Sequence, residues 1–370
     1  MLWDGNNKAG GVRKMKLYID MIAFYLQDAG GVTNVWAELL IRMLQDRKQV
    51  VLILQQCECN NIHFKQIMAL EPKVIYERKI HTKINRYLPV TCRMEHGSTF
   101  ISTYYRVAEN NSVKKYILVH DFTYEHYVKG IRKWVHSKQK AASVKQAEII
   151  ICVSQNTMND LVTLYPWAET KQRYVIYNGV SNVYKKLTGD IRIKELGEYN
   201  DKEYLLYIGS RARYKRFDFA VDVAMHFGYS LVIVGGGAFS VRENKLMENN
   251  LKGNYIHLQN VENDLMNKIY NKAVALIYPS EYEGFGLPII EAQRAGCPVI
   301  AKRGSSVSEV FGRSEYLMTE NTLSEAERII DMLKQHKKRE EICSQGFANS
   351  RRFDWEMTYM EMNKILYQEA

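Results

Sequence analysis

From Met15 onward, short apolar runs alternate with longer segments of helical spacing. In the first half, Lys16–Met21, Val50–Gln55, Phe100–Tyr104, Tyr116–His120, Glu148–Val153 and Tyr174–Tyr177 have the length and composition of buried strands. Between them, Thr33–Gln45 and Lys129–Lys145 repeat their apolar positions at helical spacing. This alternation predicts βαβ units on a parallel sheet. A polar stretch from about Lys185 to Lys202 interrupts it. The pattern restarts with Tyr204–Ile208, Ser230–Val234, Tyr255–Leu258, Ala273–Tyr278 and Pro298–Ala301. The expectation is an α/β chain of two doubly wound, Rossmann-like domains with a ligand cleft between the carboxyl ends of their strands. Its divisions are a loose leader at 1–14, a first domain at 15–185, a linker at 186–203 and a second domain at 204–352. A closing helix at 353–370 is placed to cross back onto the first domain.

A length of 370 residues suits two domains of ordinary size. The longest apolar runs (Ile149–Val153, Leu231–Val234 and Ala273–Tyr278) fall far short of the ~18 residues of a spanning helix. No apolar core behind positive charge marks a signal peptide, so the expected compartment is the cytosol. Six cysteines at 57, 59, 92, 152, 297 and 343 have neither redox nor zinc spacing and read as reduced structural thiols. The net charge of +10 is unevenly spread. Residues 1–186 hold 27 Lys and Arg against 15 Asp and Glu, whereas the remainder holds 24 against 26. A basic first half suits an anionic lipid surface, a nucleic acid or a phosphorylated substrate. Lys129–Lys145 concentrates that charge around Trp134 and Val135, as a helix resting on anionic lipid would. No recognised nucleic-acid motif accompanies it, so nucleic acid is not an expected partner.

The densest chemical signal is the string that follows Ala273–Tyr278. It runs Pro279-Ser280-Glu281-Tyr282-Glu283-Gly284-Phe285-Gly286-Leu287-Pro288-Ile289-Ile290-Glu291-Ala292. Gly284 and Gly286 allow close backbone approach, Pro288 suits a first helical residue, and Gly296 suits the end of a short helix. The helix start would face an anion, with Glu283 in the loop and Glu291 one turn into the helix. Carboxylates beside an anion site make sense when the ligand also carries sugar hydroxyls that need acceptors.

This string resembles the signature of the retaining family-4 glycosyltransferases, which have the two-domain GT-B fold. The resemblance covers nearly the whole chain from Met15. It implies that Glu283 contacts the donor sugar near the reacting centre and that Glu291 holds the ribose hydroxyls. Gly209-Ser210-Arg211-Ala212-Arg213-Tyr214-Lys215 ends the strand Tyr204–Ile208, and Arg211 and Lys215 match the cations of that family. A departing diphosphate gathers negative charge, which two such cations would stabilise. Gly30-Gly31 resembles the family's glycine loop against the diphosphate, with Thr33 placed to cap the next helix. His120 matches a histidine at the sugar, and Asp121 follows it. Asn260-Val261 falls where the family holds the base through its main chain. Ser102–Arg106 and Asn178–Val180 match further family strings, the first on the acceptor side. Gly235-Gly236-Gly237 and the Ser154/Thr157 pair read as architectural.

The resemblance thus implies same-face hexose transfer from a nucleotide-diphosphate sugar to a glycan or lipid-linked acceptor in surface-polysaccharide assembly. GDP-mannose is the first donor in view, a UDP-hexose the second. The chain has no Asp-x-Asp, so no metal and no separate cofactor is expected. The competing readings are a sugar phosphorylase of the same fold and a non-catalytic binder of nucleotide sugar or nucleic acid.

Overall fold

The computed structural model describes residues 16–367, so the leader assigned to 1–14 lies outside the described residues. Among the described residues, twelve strands form two parallel sheets. The first holds β1 (Leu17–Asp20), β2 (Val50–Leu54), β3 (Lys73–Tyr76), β4 (Thr99–Ser102), β5 (Lys114–Val119), β6 (Ile149–Cys152) and β7 (Gln172–Val175). Their order is β3-β2-β1-β4-β5-β6-β7. The second holds β8 (Tyr204–Ile208), β9 (Ser230–Val234), β10 (Tyr255–Leu258), β11 (Ala275–Tyr278) and β12 (Val299–Ala301), in the order β10-β9-β8-β11-β12. Both orders turn outward in opposite directions from a central strand, as in a doubly wound fold, and place the ligand edge at the carboxyl ends.

Burial on both faces explains why these strands read as unbroken apolar runs. β2 (VVLIL) and β9 (SLVIV) are buried at every position. β3 was invisible to that criterion. It lies at the sheet edge, with exposed Lys73 and Tyr76 flanking part-buried Val74 and Ile75. β11 starts at Ala275 rather than Ala273, because the Ala273 N–H still closes the preceding helix onto Ile269 and Tyr270. β5 starts earlier than expected, since Lys114 and Lys115 pair with Thr99 and Phe100 despite their charge.

By compactness the chain divides into a unit of residues 16–117, 146–148 and 363–367 and a unit of 118–145 and 149–362. This division falls within β5 rather than at residue 185. The reason lies in the second unit, where the β6 and β7 exits are bonded to its later loops: Ser154 to Gly284, and Tyr177 to Glu309. The polar stretch read as a linker is packed there too. Lys185 and Leu187 donate their N–H groups to the Asn267 and Asn271 side chains, and a 3-10 turn at Lys194–Asp201 buries Leu196 and Tyr199. The closing helix Trp355–Leu366 begins in the second unit, where Thr358 donates to the Tyr177 carbonyl, and its residues from Asn363 belong to the first.

A buried ionic cluster knits the strand ends of the first unit. The Arg106 guanidinium donates to Asp20 at 3.0 Å, to both Glu77 oxygens at 2.7 and 2.9 Å, to Asn85 at 3.3 Å and to the Leu88 carbonyl at 2.9 Å. Ser102 binds the other Asp20 oxygen, while Gln55 and Asn85 complete Glu77. Arg106 is 3% exposed and is buried together with Ser102, Thr103 and Tyr105, whereas Tyr104 is part-buried. In the same unit the helix Gly31–Gln45 starts two residues before the expected Thr33. Gly30 is its N-cap, and the Thr33 hydroxyl donates back to the Gly30 carbonyl instead of capping an N–H.

Candidate functional site

The second unit gathers most of the residues singled out in the sequence. β11 leads into the loop Pro279–Gly286 and then the helix Leu287–Ala295, which ends at Gly296 in the left-handed region (φ 77°). Gly286 precedes the helix at φ 104°, a conformation that favours glycine. The helix starts at Leu287, one residue earlier than expected, so Pro288 is its second residue.

Gly284 is required by protein packing. A Cβ there would lie 1.9 Å from the His120 carbonyl oxygen and 2.7 Å from the Asp121 Cβ. Only hydrogen fits, so the loop is seated on the end of β5. Ser154 and Thr157 hydroxyls donate to the Gly284 carbonyl at 2.6 and 3.1 Å. Ser154 also caps the helix Gln155–Leu164. Phe285 is buried against Tyr177 and Phe353. Two serines that carried no sequence signal complete the support. Ser306 donates to the Glu283 and Phe285 carbonyls, both at 2.9 Å, and Ser305 accepts the Glu283 N–H at 3.0 Å.

This scaffold holds Glu283 against Lys215, with Nζ 2.5 Å from Oε1. Their side chains are 11% and 14% exposed. Lys215 also lies over the rings of Tyr214 and Tyr278. A poorly hydrated ion pair with one edge still open can exchange its partner for an incoming anion or hydroxyl.

Arg211 has a different setting. It donates to Glu243 at 2.9 Å and to the carbonyls of Gly235, Gly236, Gly237 and Ala238 at 2.8–3.1 Å. Its guanidinium packs on Phe239. In this state Arg211 shapes the glycine turn after β9, and the three glycines adopt positive φ around it.

Glu291 accepts the Tyr270 hydroxyl at 2.9 Å. Burial pushes its carboxyl up to about 7, and the tyrosine bond opposes the shift. His120 keeps a part-exposed edge, but its Nε2 is buried without a hydrogen-bond partner. Burial holds the imidazole down to about 4; Asp121 opposes this and Lys140 adds to it. A neutral His120 can therefore donate or accept through Nε2 at physiological pH.

Asn260 is exposed at φ 52° after β10, with Val261 part-buried beside it. Gly30 and Gly31 lie in the first unit. Gly31 has open space where a Cβ would stand. Among the described residues, no three of His, Cys, Asp and Glu come together as a metal cluster.

Residues 190–348 match the family described as Glycosyl transferases group 1. An uncharacterised glycosyltransferase of Methanocaldococcus jannaschii is 29% identical over 60% of this chain and 59% of its own length. The O-antigen chain mannosyltransferase RfbU of Salmonella typhimurium is 29% identical over 43% of each chain. An E. coli O-antigen chain mannosyltransferase reaches 36% identity over 24% of this chain and 23% of its own. The matches thus cover less than two thirds of these relatives. Among solved structures, Anabaena HepE in complex with UDP and glucose superposes with a TM-score of 0.72 at 15% identity, over 96% of this chain and all of its own. WaaG, a glycosyltransferase involved in lipopolysaccharide biosynthesis, superposes with a TM-score of 0.68 at 12% identity over 95% and 100%. These likenesses establish the GT-B fold class, two Rossmann-like parallel sheets.

Proposed function

Because residues 190–348 match the glycosyltransferase group 1 family, we propose that this chain moves a hexose from a nucleotide-diphosphate sugar to a glycan or lipid-linked acceptor, with retention of configuration. The observation that carries this reading is the Lys215–Glu283 pair, seated at a strand end beside a helix start. Lys215 would meet the departing diphosphate while Glu283, released from it, accepts a donor-sugar hydroxyl. His120 would serve the sugar through Nε2, and Glu291 the ribose hydroxyls. Arg211 would act on the phosphates while keeping the Gly235–Ala238 turn in shape. The leaving phosphate would take the acceptor's proton on the same face.

The O-antigen mannosyltransferase relatives favour GDP-mannose as donor. The structural neighbour with UDP and glucose keeps a UDP-hexose in second place. Surface-polysaccharide assembly at a cytoplasmic membrane face is the matching setting. The helix Ile131–Gln146 supports it with Ile131 and Trp134 exposed at 77% and 62% among basic residues. No helix among the described residues is long and apolar enough to cross a membrane, so the proposed contact is peripheral.

Thermal unfolding with GDP, UDP, ADP and dTDP, each with EDTA or magnesium, tests the reading. A nucleotide at 100 times its Kd adds roughly 2.7 kcal/mol and should raise Tm by a few degrees. One nucleotide is expected to do so in EDTA, and the shift should shrink in Lys215→Ala. A shift that requires magnesium would overturn the protein-cation assignment, and no shift with any nucleotide would overturn the donor class.

Glu291 adds a pH signature. Ribose hydroxyls bind best to its ionised form, so below about pH 7 nucleotide binding must release a proton. Affinity should rise with pH and level off above about 7. Calorimetry at pH 6 in buffers of different ionisation heat should record the proton, and Glu291→Gln should abolish it.

A further inference from the structure

The helix Ile131–Gln146, basic throughout in sequence, turns Lys140 into the interior with no exposure at all. Its Nζ donates to the Asp121 carbonyl at 2.8 Å and to Glu125 Oε2 at 2.7 Å, and lies 4.4 Å from the centre of the Phe122 ring. A buried ammonium needs such partners to offset lost hydration. Both lie just past the end of β5. His120 is the residue before Asp121, and its carbonyl is the atom against which Gly284 is seated. Asp121 Oδ1 in turn accepts the Thr123 N–H at 2.8 Å, where the next helical turn starts. The contacts thus run from Lys140 through the strand end to the loop that carries Glu283.

We propose that Lys140 is a positioning residue: its ammonium, holding the Asp121 carbonyl from behind, fixes the strand end that presents His120 and seats the Gly284 loop. This rests on the reading of that loop as the donor-sugar site, but its test needs no substrate. The charges acting on the His120 imidazole are Asp121 beside it and Lys140 from the helix. Glu125 and His136 lie around Lys140, and Glu283 is paired with Lys215. Removing the ammonium should therefore raise the basicity of His120, whereas breaking its ion pair with Glu125 should not.

The experiment is an NMR titration of the full chain carrying 13C-labelled histidine, with the His120 signal identified by its loss in His120→Asn. In the wild type, His120 should stay neutral down to about pH 5. Lys140→Met should move its midpoint upward by about one pH unit. Glu125→Gln should leave it in place, and Lys140→Arg should restore it. Should Lys140→Met fail to fold, Lys140→Met/Glu125→Leu, which removes the whole buried pair, is read in its place with the same expected shift. No shift on removing the ammonium, or an equal shift in Glu125→Gln, would reduce Lys140 to a packing element and overturn the proposal.

Discussion

Replacing Lys215 by methionine should lower the rate of nucleoside diphosphate release from the donor by about 10²–10³-fold, the usual cost of losing one preorganised stabiliser of developing charge. The same change strands the Glu283 carboxylate, whose Oε1 accepts the Lys215 ammonium at 2.5 Å in a poorly hydrated setting. Stability should fall with it, by about 2 kcal/mol, because a charge without its partner is costlier than no pair at all. The two effects separate in Lys215→Met/Glu283→Gln. With both charges gone, the melting temperature should recover most of the loss while turnover stays low. If turnover recovered together with stability, the pair would be structural and Lys215 would have no part in the chemistry.

The second large effect belongs to Gly284. A methyl group there would sit 1.9 Å from the His120 carbonyl oxygen. That neighbour is backbone at a strand end and cannot rotate aside, so the loop must lift from its seat. Gly284→Ala should cost about 3 kcal/mol, the upper end for an overpacked interior. It should also weaken nucleotide binding, since Glu283 and the Ser154 and Thr157 hydroxyl contacts move with the loop. Gly31→Ala is the matched control for the fold. It sits in a helix with open space at its Cβ and should unfold no earlier than the wild type. Equal melting temperatures for Gly284→Ala and the wild type would refute the close seating.

Much of this architecture was legible because parallel strands buried on both faces cannot hide. β8 and β9 have the ends their apolar runs predicted, and so does the part-buried edge strand β10. Edge strand β3 had no such run, and the early start of β5 was masked by two lysines. The motif from Glu283 to Glu291 was legible in position but only partly in cause. Gly284 reads in sequence as room for a ligand, yet the room is taken by the chain's own backbone. Lys215 and Glu283 stand 68 positions apart, so nothing local announces that they pair. The partners of Arg211 are mostly main-chain carbonyls, which no sequence displays. Ser305 and Ser306 went unnoticed for the same reason, because each acts on a backbone group supplied by the loop from Glu283 to Phe285. The segment Lys129–Lys145 read as basic throughout and suited to anionic lipid, since charge alone does not reveal which lysine the fold turns inward.

The cluster around Arg106 bears on how this chain can change over time. Its bonds tie Arg106 to Asp20, Glu77, Asn85 and the Leu88 carbonyl, and the one guanidinium is shared by both carboxylates. Substituting Arg106 would leave two buried carboxylates without their counterpart. A first step at Arg106 is therefore closed, although an apolar set of similar volume could fill the same space. Descendants of this sequence would be expected to keep Arg106 for as long as both carboxylates remain.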